Sequence, residues 1–171
     1  MPCRHAFAGS VLAALLLAAC GKQTAPAPPP PKELTGDEVG YFCKMVVVEH
    51  KGPKGQIFVG DAIEPLWFTS VRDALAFTRL PDEPKDIRAI YVTDEAIASW
   101  DHPEPGTWVD ATHAWYVIDS DKKGGMGAPE VVPFSQKPAA EHFADLHHGR
   151  VVDYRSVPTD HLLGSATAVD H

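Results

Sequence analysis

Few residues in this chain can hold a soft metal or attack a substrate, and those few cluster. Residues 41–57 read YFCKMVVVEHKGPKGQI and place Cys43, Met45 and His50 within eight positions, although the chain has three cysteines and three methionines in all. A second methionine, Met126, sits in the run 124–127 (GGMG). There it has little to pack against, and glycine permits unusual backbone angles and close approach. Thiolate and thioether are soft donors that select Cu(I) over hard cations. The expected chemistry is therefore a Cu(I) site of low coordination number with Cys43, Met45 and Met126 as ligands. Structural zinc draws four ligands from paired Cys or His motifs, and no such pairing is present. Cys43 with His50 or His113 as base would make a minimal nucleophile. No glycine-framed nucleophile turn, phosphate-cradling loop or carboxylate pair accompanies it, so the chain reads as a non-enzyme.

The histidines are weaker candidates. His50 lies seven positions after Cys43 and joins a site only after a bend. His113 precedes the strand expected to mirror the Cys43 segment, which makes it the best placed of the distant ones. His102 lies in a Pro-rich loop, His142, His147 and His148 on a helix surface, and His161 and His171 in a tail. All of these read as solvated imidazoles.

The first twenty residues, MPCRHAFAGSVLAALLLAAC, set the compartment. Arg4 makes a positive start, and residues 6–19 form an apolar core shorter than the roughly 20 residues a spanning helix needs. This is a secretory signal, excluded from the fold, and its end, Leu17-Ala18-Ala19-Cys20, has the form of a bacterial lipobox. Cleavage at residue 19 removes Cys3 and leaves Cys20 to be lipidated, so Cys43 is the lone free thiol in an oxidising periplasm. A lone thiol there suggests metal binding or reactivity. The alternative is a metal-free docking or assembly module in which Cys43 is a small buried hydrophobe. Residues 21–38 (GKQTAPAPPPPKELTGDE) contain four consecutive prolines and little apolar content, so residues 20–38 read as a polyproline-II tether. Gly21 and Lys22, with no Asp after the lipid Cys, favour sorting to the outer membrane.

The elements that must position the sulfurs alternate in type. Residues 42–48 (FCKMVVV) read as a buried strand, which would point Cys43 and Met45 to one face. Residues 49–55 carry turn signals, and 56–60 form a second strand of a hairpin. Thr69 or Ser70 caps a helix to about Arg79, with Val71, Ala74, Leu75 and Thr78 on one face. Residues 87–93 (IRAIYVT) are a strand. A similar order follows: strand 114–119, Gly-rich turn 120–128, short strand 130–133, helix 138–148 closed by Gly149, and strand 151–154. Phe68-Thr69 and Phe134-Ser135 lead into the two helices, whose aromatics Phe77 and Phe143 keep the same offset of 66 residues. The expected fold is α+β, with two related ββαβ halves, about 39–95 and 108–158, in one domain over 39–158, and a tail from 159 to 171. About 130 globular residues suffice for one core. Losing Arg4 takes the net charge from −8 to about −9, and an acidic surface argues against nucleic acid.

Together, Cys43-Lys44-Met45, residues 49–57 (EHKGPKGQI), the lipobox, Asp61 with Phe68, and Met126-Gly127 resemble the NosL family over roughly residues 39–158. The resemblance implies two ββαβ halves and one bound Cu(I). It implies a periplasmic lipoprotein that delivers copper for the copper-sulfide centre of nitrous oxide reductase. Its partners would be the reductase apoprotein and a membrane ABC-type maturation complex. Residues from 159 onward match no element of that family.

Overall fold

The computed structural model describes residues 27–102 and 104–164, with Met1. The signal segment, Cys20 and His171 lie outside the described residues. Strands β1 (Gly55–Val59), β2 (Leu66–Phe68), β3 (Ile87–Thr93) and β4 (Trp108–Asp110) form an antiparallel sheet in the order β2-β1-β3-β4, with helix α1 (Val71–Arg79) between β2 and β3. Strands β5 (Trp115–Ile118), β6 (Val132–Phe134) and β7 (Arg150–Asp153) form a second antiparallel sheet, β6-β5-β7, with α2 (Lys137–His147) between β6 and β7. A short helix α3 (Thr159–Leu163) follows. Each half is a ββαβ unit with its first strand central, the α+β architecture expected.

Local chemistry explains α1. Ser70 has extended backbone and its Oγ accepts from Asp73 N at 3.1 Å, a helix cap. Leu80 turns extended ahead of Pro81, as residues before proline do. Val71, Ala74, Leu75, Ala76 and Phe77 are buried; Thr78 is half-buried, and its hydroxyl donates to Leu75 O. One core unites the halves. Ile57, Phe68, Ile90 and Val92 of the first sheet meet α1, Tyr116, Ile118 and Val152 of the second sheet, and Leu162 of α3. The other face of the second sheet, Val117, Val132 and Phe134, packs on Ala140 and Phe143 of α2.

Several expectations are corrected. Residues 42–48 are not a strand. Residues 41–43 form a tight turn, Lys44 takes φ +58°, and Val47–Glu49 is a 3-10 turn. The hairpin partner of β1 is β2, three residues too short to show a period. Trp108–Asp110 pairs with β3 in the first sheet, so it does not open the second half. At the end of α2 the left-handed residue is His148, one position before Gly149. Residues 159–163 are no loose tail, because Leu162 is buried and Arg72 Nε donates to His161 O at 3.2 Å. Nor is the Pro-rich segment free from residue 27 on. It lies across the outer face of the first sheet, where Tyr91 donates to Pro29 O at 2.7 Å and Gln56 pairs with the Lys32 backbone.

Candidate metal centre

Cys43 and Met45 flank Lys44 at a chain reversal. Gly40 N donates to Met45 O and Lys44 N to Gly40 O, each at 2.9 Å, while Val39 and Val46 bridge below them. The two sulfurs therefore owe their shared position to a turn with a left-handed centre, and strand alternation plays no part. Cys43 is a free, half-buried thiol whose Sγ lies 3.6 Å from Thr69 Oγ1, just ahead of α1. The thiol is seated over Gly40, where a Cβ would stand 2.6 Å from that sulfur and push it aside. Met45 keeps 37% of its surface exposed. A half-buried thiol beside solvent-open apolar side chains is not the buried core residue that the docking-module alternative needs.

Met126, 50% exposed, rides on the loop between β5 and β6. Gly127 N bonds to Gly124 O at 2.8 Å and Gly124 N to Ala128 O at 3.0 Å, which closes the tip. The loop reaches into the first half. A Cβ on Gly125 would meet His50 Cβ at 2.6 Å and Lys51 N at 3.0 Å, so only glycine allows this approach. Gly124 lies close enough to α1 that its Cβ would stand 3.7 Å from Ser70 Cβ. The Cys43 turn and the Met126 loop thus both reach the Thr69–Ser70 step, and His50 sits beside the Met126 loop. His50 faces that loop because the chain bends through Val47–Glu49. His113 is not brought in. Its Nδ1 lies 3.3 Å from Asp110 Oδ2, and its neighbour Thr112 lines a cleft with Arg88 and Pro28 at the far end of the sheet. The residue was placed by analogy with a Cys43 strand that does not exist. His102, His142 and His148 are exposed, and His147 pairs with Asp121 at 3.0 Å. Among the described residues no group of three His, Cys, Asp or Glu side chains is placed to hold a metal ion.

A cluster of titratable side chains drawn largely out of water supports the Met126 loop, and sequence reasoning missed it. Glu130, fully buried at the base of the loop, accepts at Oε1 from Arg72 N at 3.0 Å and Val131 N at 2.9 Å. A carboxylate of the second half thereby caps α1 of the first. Its Oε2 has no partner and faces Gly124. Lys54 is also fully buried and donates to Gly52 O. Burial pushes Glu130 up to about 8 and Lys54 down to about 8. Burial likewise lifts Glu95 to about 7, against a hydrogen bond from Thr93 and the attraction of Lys54. Lys54 stands in a Gly-Pro-Lys-Gly turn signal and Glu130 after Ala-Pro, contexts that read as exposed. The one available hint was their position beside the motif.

The family model described as NosL matches residues 31–162. The copper-binding lipoprotein NosL of Achromobacter cycloclastes is 42% identical over 144 residues, covering 83% of this chain and 75% of that protein. The copper-binding lipoprotein NosL of Stutzerimonas stutzeri is 30% identical over 168 residues, covering 96% and 86%. The crystal structure of the copper chaperone NosL from Shewanella denitrificans superposes with a TM-score of 0.71 at 27% identity, over 76% of this chain and 97% of that one. The solution structure of apo-NosL from Achromobacter cycloclastes superposes with a TM-score of 0.50 at 38% identity, over 68% and 94%.

Proposed function

The chain belongs to the NosL family, and from that premise we propose that it is a copper chaperone, a periplasmic lipoprotein anchored through Cys20, that carries Cu(I) to the copper-sulfide centre of nitrous oxide reductase. The observation that carries the reading is the open sulfur pair. Cys43 and Met45 flank one turn, with Met126 on a loop that reaches the same start of α1. One thiolate and one or two thioethers suit Cu(I) and suit zinc or a hard cation poorly. Cu(I) is the cargo, and Cys43 is its principal ligand.

Exposure explains how such a site could release what it binds. Met45 and Met126 are both solvent-open, so an acceptor can add its own donor to the ion before the thiolate lets go. A fully enclosed site would have to open first. No described helix is long and apolar enough to cross a membrane, and the lipid on Cys20 supplies attachment, with sorting to the outer membrane favoured by Gly21 and Lys22. The partners on this reading are the reductase apoprotein and its ABC-type maturation complex, and the protein is no enzyme. Deletion of the gene from a nitrous-oxide-reducing host tests this. Purified reductase should then lack its catalytic copper-sulfide centre, regaining it with the wild-type chain but not with Cys43→Ser. A full complement of copper and sulfide in the deletion strain would overturn the proposal.

A further inference from the structure

The duplicated topology leaves one sheet face without a helix. In the second half, the face of the sheet that turns away from α2 is buried in the shared core, through Tyr116, Ile118 and Val152. The corresponding face of the first sheet presents Gln56, Phe58, Trp67, Tyr91 and Trp108 on the side away from α1. Gln56, Phe58 and Trp67 there are nonetheless buried. We propose that residues 27–34 are a fixed strap over this face, so that the lipid anchor leaves the domain at the Arg88 end of the first sheet and the sulfur-bearing end is held away from the bilayer. The orientation rests on the reading of Cys20 as the lipidated residue.

The contacts fit the chemistry of a polyproline segment. Prolines 28–31 have no N–H and offer only carbonyls and rings. The sheet supplies donors to match. Tyr91 donates its hydroxyl to Pro29 O at 2.7 Å, and Arg88 Nη2 reaches Ala27 O at 3.4 Å. At Lys32, the first residue with an N–H again, buried Gln56 engages both backbone groups. Lys32 N donates to Oε1 at 2.8 Å, and Nε2 donates to Lys32 O at 2.9 Å. Glu33 then accepts from Gly106 N at 3.1 Å and Trp108 Nε1 at 3.2 Å. Aromatic-lined surfaces commonly take Pro-rich segments in this way.

The path sets the exit point. Cys43 contacts Thr69, which follows Phe68, the partner of Gly55 at the start of β1. Ala27 lies by Arg88, whose Nη1 contacts Gly60 O just past the other end of β1. From Cys20 to Ala27 the chain spans seven Cα steps, at most about 25 Å. A domain of about 130 residues has a radius of gyration near 14 Å, equivalent to a sphere about 36 Å across. A leash of that length holds the Arg88 end close to the bilayer and disfavours the orientation that lays the sulfur pole on it. With residues 20–38 wholly free, the reach would be about 65 Å, and inversion would be unhindered.

The test uses the mature lipidated chain in nanodiscs doped with a gadolinium-headgroup lipid, read by amide NMR. Residues 61, 88 and 112 should broaden at least about threefold more than 44, 45 and 125–127, and the Lys32 amide should exchange at least about tenfold more slowly than an unstructured chain. Gln56→Ala should abolish both effects. Tyr91→Phe, which removes one hydroxyl at the surface, should weaken both while the core amides of α1 stay protected. Free-chain exchange at Lys32 with disc binding intact would overturn the strap. Equal broadening of the two poles would overturn the orientation. Failure of the chain to join the discs would overturn the anchor reading and the orientation with it, leaving Lys32 protection to judge the strap separately.

Discussion

The two halves share a ββαβ topology and differ most in one hairpin. In the first, β1 and β2 are joined by six residues, 60–65; in the second, β5 and β6 are joined by thirteen, 119–131. The helices keep the 66-residue offset, because β2 and β6, and then α1 and α2, follow at the same spacing. The central strands do not. Gly55 pairs with Phe68 and Trp115 with Phe134, an offset of 60. The extra residues form the Met126 loop, whose Gly125 and Gly124 pass close to His50 and Ser70. The first half answers with the Cys43 turn, placed before its first strand. The candidate centre is thus made where the two repeats differ, and the repeated parts serve as scaffold. A second contrast lies in the helices. Five of the nine residues of α1 are buried, whereas in α2 only Ala140 is.

Removing the support between the halves should have the largest effect. Glu130→Ala leaves Arg72 N and Val131 N without their acceptor and opens a cavity between the halves, and should cost about 3 kcal/mol in urea unfolding. Glu130→Gln should cost less and change the pH response. Burial raises Glu130 from 4.5 to about 8 and Glu95 to about 7, so above pH 4.5 the native state holds protons that the unfolded chain has released. Stability therefore falls as pH rises through that window. Lys54, lowered from 10.5 to about 8, gives the opposite trend above pH 8. Urea midpoints at pH 5 and pH 8 should drop for the wild type and drop less for Glu130→Gln. An equal drop would remove Glu130 from the explanation.

Making the halves alike is the next experiment. Shortening residues 119–129 to four, so that six residues join β5 to β6 while Glu130 and Val131 stay, should weaken Cu(I) binding by about 100-fold, or about 2.7 kcal/mol. Unchanged affinity would show that the long loop has another purpose. Single Met126→Leu and Met45→Leu changes should each cost about tenfold, near 1.4 kcal/mol, and an inert substitution would strike that sulfur from the ligand set. The smallest effect is expected at Gly40. A Cβ there would crowd the ends of the Cys43 and Thr69 side chains, at 2.6 and 3.2 Å, and no backbone at less than 3.6 Å, so Gly40→Ala should leave stability within about 1 kcal/mol while lowering Cu(I) affinity. Affinity equal to wild type would mean that the thiol's seat over Gly40 is irrelevant to binding.

Much of the scaffold was legible because its signals are local. Ser70 caps α1, residues 87–93 form β3 as expected, and the Phe-Thr and Phe-Ser steps mark both helix starts. The Cys43 segment misled because FCKMVVV satisfies strand composition, while Lys44 adopts a left-handed angle that lysine gives no reason to expect. Strand β2 has three residues, below any readable period. The strap was hidden because proline content marks a segment as extended without saying what it lies against. The cluster of Lys54, Glu95 and Glu130 could not be read because a charged residue near a turn signal is ordinarily solvated. Burial here comes from contact between the halves. For the candidate sulfur donors, residue type suggested the chemistry, and the turn and the long loop set positions that spacing alone did not.

Anaerobic Cu(I) titration of the mature chain against a competing chelator, beside Cys43→Ser, tests the central claim most directly. The account predicts that the wild type takes up about one Cu(I) per chain and that Cys43→Ser fails to hold it against the chelator. Equal binding by the two proteins, or no competition by the wild type, would contradict a Cu(I) centre built on Cys43.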